Sequence, residues 1–358
     1  MSVDLLKETI EQRFPRLIVS GVDYNDARTA LARIRTIDDW MPEWVRLGEL
    51  HEGLGEAALE EGRTVTAGAA FRRAAVYYHT GQSVYFADAE KKFRVQERQQ
   101  AAGRKALALS RPSGVEVTVT FDGITFPGNL RLPEGARRPP LVILNCGGDS
   151  TKEELPTLED EFLRRGVATF SYDGPGQSTT WRRMKLRHDF EKPVAAVIDA
   201  LATRSDIDGE RIGIWGRSFG GYTAPRAASF EPRIKACISI GGFYDMGETW
   251  ERFPASVKET VQFAFGVASF EEARRCAQAC TLRGVLGRMR CPFLIVHSGM
   301  DVVCPVEDSE RMRREVGGPA RLEIFPEGNH VCDNIPYKVR PLMADWMANQ
   351  LGATGATA

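Results

Sequence analysis

From its first residues to about position 110 the chain places apolar residues three and four apart, the spacing of one buried helix face. The spacing predicts helices over residues 5–14, 26–37, 40–62, 65–80 and 83–108, parted by short breaks containing Gly, Asn, Asp or Pro. No convincing strand pattern interrupts them. The run Ser110-Arg111-Pro112-Ser113-Gly114 reads as a linker.

After the linker the period changes from 3.6 to 2. Residues 115–121 alternate (V-E-V-T-V-T-F), and 124–132 follow after Asp122-Gly123, a hairpin turn signal. Apolar stretches at 141–145, 168–172, 211–215, 236–240, 293–297 and 321–325 read as strands. Helical patterns at 152–165, 189–204, 222–229 and 337–351 lie between or after them. Two opening antiparallel strands followed by strand–helix alternation predict an α/β fold with a mostly parallel, eight-stranded sheet covered on both faces. The expected division is a helical domain over 1–112 and an α/β catalytic domain over 113–355. Within the latter, 243–290 breaks the alternation with helical sequence at the carboxyl end of the sheet, where ligands bind, and reads as a cap. The small-residue tail, 352–358, reads as frayed, and there is no internal repeat.

Composition narrows the function classes. With 358 residues, 43% of them hydrophobic and 27% charged, the chain has ample material for a large core. A formal net charge of -1 argues against nucleic acid or an anionic membrane as partner. No uninterrupted apolar run approaches membrane-spanning length, and the N-terminus lacks the pattern of a secretion signal. Seven cysteines, an odd number mostly in apolar segments, fit reduced thiols in the cytoplasm. Cys276 and Cys280 resemble half a metal site that no further pair completes, so neither metal nor organic cofactor is expected.

The candidate chemistry centres on Gly216-Arg217-Ser218-Phe219-Gly220-Gly221, between an apolar strand and an alanine-rich helix. A strand–turn–helix with G-x-S-x-G spacing exposes the serine at the apex of a turn too tight for side chains at the flanking glycines. Ser218 is therefore the candidate nucleophile. A serine hydroxyl needs a base, and the base needs a third group to orient it. His330 lies in the loop after the last strand and Asp301 in the loop after the preceding one, both opening at the sheet edge that carries Ser218. The order Ser, Asp, His is that of α/β-hydrolases. An imidazole base predicts that kcat/KM falls on acidification as His330 takes up a proton.

The other histidines read differently. His297 ends a strand and reads as a packing residue; His51 and His188 read as helix-surface or linker positions. His79, beside Tyr77 and Tyr78, reads as structural, with a place in the substrate pocket as its alternative. Glu307 and Asp308 fall on the helix after Asp301 and point elsewhere. The oxyanion hole is expected from the N–H of Phe219 and from the loop Cys146-Gly147-Gly148-Asp149-Ser150, with Gly148 favoured, Gly147 in reserve and Asp149 a candidate substrate contact. The turn Asp173-Gly174-Pro175-Gly176-Gln177 shapes the rim. Trp181, Tyr244, Trp250 and Phe253 sit in segments near the mouth, which fits a hydrophobic or aromatic substrate, with a place in the core as the alternative for each.

With these residues placed, the chain resembles the α/β-hydrolase superfamily. More narrowly it is similar to the 2,6-dihydroxypseudooxynicotine hydrolase group, beside the FrsA-like proteins. The resemblance spans nearly the whole chain and rests on Ser150-Thr151-Lys152-Glu153-Glu154, Asp173-Gly174-Pro175-Gly176-Gln177, the Ser218 motif, Ile240-Gly241-Gly242-Phe243 and Met343-Ala344-Asp345-Trp346, together with the N-terminal helical domain. It implies that the helical domain acts as a lid and helps form a homodimer. It also implies hydrolysis of a C–C bond beside a carbonyl, in an aromatic ketone, 1,3-diketone or polyketide-like compound. The group uses an extra acidic residue in the cap; Glu248 and Glu251 lie in about that place, although Arg252 occupies one equivalent position, and a surface role for both glutamates is the alternative. A carboxylesterase or thioesterase with the same triad is the alternative, and a non-catalytic binding protein on the same scaffold a further one.

Overall fold

The computed structural model describes residues 3–353. It divides into two compact units, one built from residues up to Glu116 together with Thr151–Thr157, the other from Val117–Ser150 and the chain from Leu158 onward. The expected boundary at 112 thus moves by a few residues, and the helical unit also takes in a segment from the middle of the α/β sequence.

The helical unit contains α1 (Val3–Ser20), α2 (Tyr24–Arg33), α3 (Ile37–Glu60), α4 (Thr64–Ser83) and α5 (Ala89–Leu109). Residues 34–36, expected to continue α2, instead leave the helix. Ile34 is extended, and the Asp39 carboxylate accepts the Thr36 N–H at 2.8 Å, a capping contact that starts α3 afresh. Trp40, Trp44, Leu47, Val76 and Tyr77 form the buried centre, with Trp44 and Tyr77 edge to face at 5.8 Å. His51 is buried there too. Its Nε2 lies 2.7 Å from Asp26, while Nδ1 accepts from Arg73 at 3.1 Å. It is not the surface residue that its helix position implied.

In the other unit the strands are β1 (Gly114–Phe121), β2 (Ile124–Arg131), β3 (Leu141–Asn145), β4 (Ala168–Tyr172), β5 (Ile212–Arg217), β6 (Ile234–Ile240), β7 (Phe293–Ser298) and β8 (Ala320–Phe325). Their order is β1-β2-β4-β3-β5-β6-β7-β8. β2 runs antiparallel to β4, and every pair from β4 through β8 is parallel. The turn between β1 and β2 has positive φ at both Asp122 and Gly123, the geometry that their sequence signals. β3, β4 and β5 are buried along their whole length, which explains their unbroken apolar runs. The remaining helices are α6 (Pro156–Leu163), α7 (Glu191–Ala202), α8 (Phe219–Phe230), α9 (Met246–Thr249), α10 (Ala255–Phe265), α11 (Phe270–Ala277), α12 (Val306–Glu315) and α13 (Pro336–Gln350). The helix expected over 152–165 is split, because Pro156 starts α6 and only a short 3-10 turn, Lys152–Glu154, precedes it. Helices α9 to α11 fall within 243–290, the stretch that the sequence reads as a cap. Of the tail, 354–358 lies outside the described residues.

Asp308 on α12 ties that helix to the segment that follows β6. Its carboxylate accepts the Tyr244 N–H at 2.9 Å and the Thr249 hydroxyl at 3.3 Å. Burial, which outweighs these bonds, pushes the carboxyl up to about 6 from an ordinary 3.8. The folded state therefore holds this proton more tightly than the unfolded chain does. Its stabilising effect is complete below the unfolded value and is lost as pH rises through about 6. Asp308→Asn keeps an acceptor for Tyr244 and carries no charge, so its Tm should gain on wild type between pH 5 and pH 8. The expected gain is roughly 2 °C, from a difference on the order of 1 kcal/mol. Parallel Tm profiles for the two proteins would contradict this account of Asp308.

Candidate active site

β5 delivers Ser218 to a sharp turn at the carboxyl edge of the sheet. Ser218 has φ 54° and ψ -117°, a region that non-glycine residues rarely occupy and that stores strain. The flanking glycines are sterically required. A Cβ on Gly216 would stand 1.9 Å from the Gly220 carbonyl oxygen, and one on Gly220 would stand 2.1 Å from that of Asn145. The turn is held by Ser218 N–H donating to Ile240 O at 2.9 Å and by Gly221 N–H donating to Ser218 O at 2.8 Å.

His330 and Asp301 meet this serine. His330 Nε2 is 3.0 Å from Ser218 Oγ, and its Nδ1 is 2.8 and 3.0 Å from the two oxygens of Asp301. Asp301 Oδ1 also accepts the N–H groups of Val303 at 2.8 Å and Cys304 at 2.9 Å. Burial by itself would raise the Asp301 carboxyl. The adjacent His330 ring and these hydrogen bonds offset that and hold it below the ordinary 3.8, so it stays ionised. An ionised acceptor at Nδ1 puts the ring proton there and leaves Nε2 free to take the serine proton.

Two supports lie behind these residues, of which only His297, as a packing residue, was legible in the sequence. Arg217, the residue before the serine, donates to Asp333 at 2.8 Å, and both side chains are buried. This joins the Ser218 turn to the His330 loop, in which Val331 and Cys332 both have φ 56°. His297 is fully buried, with Ser309 donating to its Nδ1 at 2.6 Å and its Nε2 donating to Cys304 O at 3.1 Å. Burial pushes its pKa down against the pull of Asp301, which fits a neutral packing residue behind the acid loop.

The loop expected to serve the oxyanion also reaches the serine. A Cβ on Gly147 would lie 3.5 Å from Ser218 Cβ, and one on Gly148 would lie 3.9 Å from Phe219 Cβ. Phe219 opens α8, where backbone N–H groups lack intrahelical partners, and its ring is fixed against Phe190, Tyr222 and Phe243. Asp149 is half-buried in the same loop.

Comparison with known proteins gives the family of the chain. The model of the prolyl oligopeptidase family matches residues 161–354. The 2,6-dihydropseudooxynicotine hydrolase of Paenarthrobacter nicotinovorans is 35% identical over 342 residues, covering 94% of this chain and 91% of that protein. The chain belongs to the prolyl oligopeptidase family of α/β-hydrolases. A crystal structure of the 2,6-dihydroxy-pseudo-oxynicotine hydrolase superposes with a TM-score of 0.88 at 33% identity, covering 96% of this chain and 98% of that one. The 20-hydroxy-prefusarin hydrolase of Gibberella moniliformis is 32% identical and matches 77% of each chain. The structure of AbyA5, 19% identical with a TM-score of 0.76 over 98% of this chain, shows the fold alone. Like these relatives, the protein is a hydrolase.

The other residues considered for the site of this α/β-hydrolase have the following surroundings. Glu248 is half-exposed and pairs with Arg283 and with Arg311, the latter at 3.0 Å. Glu251 is exposed and pairs with Arg274 at 3.0 Å. Both carboxylates thus have surface ion pairs as partners, which gives no support to an auxiliary acid at either position. Tyr244 is buried, donates its hydroxyl to Glu315 and carries Arg311 3.8 Å from its ring centroid. Trp250 and Phe253 pack edge to face in the core at 6.1 Å. Trp181 is half-buried; it stacks on Phe263 at 4.6 Å and donates its indole N–H to Phe263 O at 2.5 Å. His79 is enclosed within the helical unit, with Nδ1 3.3 Å from Gln82 and 3.4 Å from Thr151, and Nε2 3.4 Å from Glu154. Its structural reading fits these contacts better than a pocket role. All seven cysteines are free thiols. Among the described residues no helix is long and apolar enough to cross a membrane.

Proposed function

We propose that the protein hydrolyses a carbon–carbon bond beside a carbonyl, in an aromatic ketone, 1,3-diketone or polyketide-like compound, with Ser218, His330 and Asp301 as its catalytic triad. The observation that carries the triad is the unbroken chain of contacts from Ser218 Oγ through both ring nitrogens of His330 to Asp301. Support for the bond type comes from the likeness, over nearly the full chain, to a hydrolase named for a pseudooxynicotine substrate.

The proposed steps balance without a cofactor. His330 Nε2 removes the Ser218 proton as Oγ attacks the ketone carbon, and the carbonyl electrons move to oxygen. The oxyanion rests on the N–H of Phe219 and that of Gly148. As it collapses, the C–C bond breaks, the carbon leaving group takes the electron pair, and imidazolium His330 protonates it. Water, deprotonated by His330, then attacks the acyl-serine and releases a carboxylic acid. With Glu248 and Glu251 in surface ion pairs, His330 is the proton donor to the carbanion. Such a step needs a leaving carbanion that is already stabilised, by an electron-rich ring or a second carbonyl.

The test is turnover of an aryl 1,3-diketone and the corresponding aryl ester by wild type and Ser218→Ala. Serine-dependent cleavage of the diketone, with ester turnover no faster, is the expected result. Serine-dependent ester cleavage with an untouched diketone would assign the protein to the carboxylesterases.

A further inference from the structure

The residue that holds the oxyanion loop in place is not in the loop and not in the triad. Gln177 closes the turn after β4, and its side chain is buried. Its Nε2 donates to Gly147 O at 3.1 Å and lies 3.4 Å from Cys146 O. Its Oε1 accepts the Gly174 N–H at 3.0 Å. A backbone N–H can only donate, so this contact fixes which end of the amide is oxygen and leaves both Nε2 hydrogens for the two carbonyls.

The turn that presents this amide is itself tightly built. Gln177 N–H donates back to Gly174 O at 3.0 Å, Gly176 has φ 79° and Ser178 has φ 45°. A Cβ on Gly176 would stand 2.6 Å from the Leu186 backbone. Strain of this kind persists only where the surroundings over-determine it. Here it aims one side chain at two successive carbonyls.

Those two carbonyls belong to the two peptides that matter for the oxyanion. In a trans peptide the C=O and the following N–H point in opposite directions. Cys146 O shares its peptide with Gly147 N–H, and Gly147 O shares its peptide with Gly148 N–H. Gly147 O also accepts the Ser150 N–H at 3.3 Å, which closes the turn on the same side. Holding both oxygens turns both N–H groups away from Gln177, in a loop where a Cβ built on Gly147 would lie 3.5 Å from Ser218 Cβ. We propose that Gln177 is the positioning residue of the oxyanion hole: its amide anchors the Cys146 and Gly147 carbonyls so that the Gly147 and Gly148 N–H groups face the oxyanion. The inference rests on the serine-hydrolase reading above but not on which bond is cleaved. It holds whichever of the two glycine N–H groups is the donor.

The test uses the full chain and a chromogenic aryl ester, with wild type, Gln177→Met, Gln177→Glu and Ser218→Ala. Gln177→Met keeps the length and apolar stem and removes both donors. Gln177→Glu keeps the acceptor for Gly174 and sets a carboxylate oxygen against two carbonyl oxygens, so either variant serves if the other folds poorly. Deleting a direct oxyanion donor costs about 10²–10³ in kcat, and loosening its peptide should cost roughly 10–100-fold with KM within about threefold. The deciding readout is inhibition by an aryl trifluoromethyl ketone, whose serine adduct carries the oxyanion, beside the matching secondary alcohol, which forms none. Ketone affinity should fall in step with kcat, while alcohol affinity and Tm hold. Unchanged kcat and ketone affinity overturn the proposal. So does an equal loss for ketone and alcohol, the mark of a general loss of shape. Ester turnover that survives Ser218→Ala would sink the serine reading and this inference with it. Ser218-dependent turnover indifferent to Gln177 sinks the inference alone.

Discussion

Ser218→Ala should lower kcat by roughly 10⁴–10⁶ and abolish labelling by a fluorophosphonate. The expectation follows from what remains once Oγ is gone. His330 keeps its bond to Asp301, and the backbone donors keep their places, so substrate still binds and the developing charge is still partly met. No atom is left within reach to form the acyl intermediate, and water must attack directly. Alanine keeps the Cβ of the native residue, so the strained φ of 54° is neither relieved nor worsened. Tm should stay within roughly 2 °C of wild type, which separates loss of chemistry from loss of fold. Residual turnover above about 1% of wild type, or undiminished labelling, would mean that another residue is the nucleophile.

Asp301→Asn should cost about 10⁴ in kcat while preserving the shape of the site. Asp301 Oδ1 accepts two backbone N–H groups, from Val303 and Cys304, and an amide in this place must keep its oxygen turned toward them. Its NH2 then faces His330 Nδ1 and can only donate. The ring is driven to the tautomer that carries its proton on Nε2, which cannot accept a proton from Ser218. Flipping the amide would instead set the NH2 against two N–H donors. The substitution also removes a pH-dependent stabilisation. The Asp301 carboxyl is held below its ordinary value, so the stability that it adds is present above the unfolded pKa of about 3.8 and is lost as pH falls through the folded value. The Tm advantage of wild type over Asp301→Asn should therefore be largest near neutrality and shrink in acid. An Asp301→Asn enzyme within about tenfold of wild-type kcat would remove Asp301 from the triad.

The turn at Ser218 was legible because its constraint is local. Two glycines, a strand before and a helix after state a backbone geometry within a dozen residues, and a Cβ at Gly216 or Gly220 collides with backbone. Asp301 and His330 were legible for a related reason. In a parallel sheet every strand ends at the same edge, so a residue in the loop after a strand is placed by chain order. The alternation of apolar runs and helical spacing likewise carried the sheet, because burial on both faces leaves its mark on every residue of β3, β4 and β5.

What distant segments do to one another was not written in any single stretch. Lys152, Glu153 and Glu154 read as the charged start of a helix, yet all three are buried within the helical unit, where Arg16 and Ser20 bind Glu154 and Gln99 binds Glu153. Glu248 and Glu251 carried both a catalytic and a surface reading, and it took arginines at 283, 311 and 274, from other segments, to supply their surface partners. Tyr244 and Trp250 read as mouth aromatics and are core. Gln177 read as rim, and its amide donates to Gly147 O in the loop after β3. The physical reason is common to all of these. Backbone geometry and hydrophobic period are properties of neighbours in sequence, whereas the partner of a charge, an amide or a ring is chosen by packing between elements that meet only once the chain has folded.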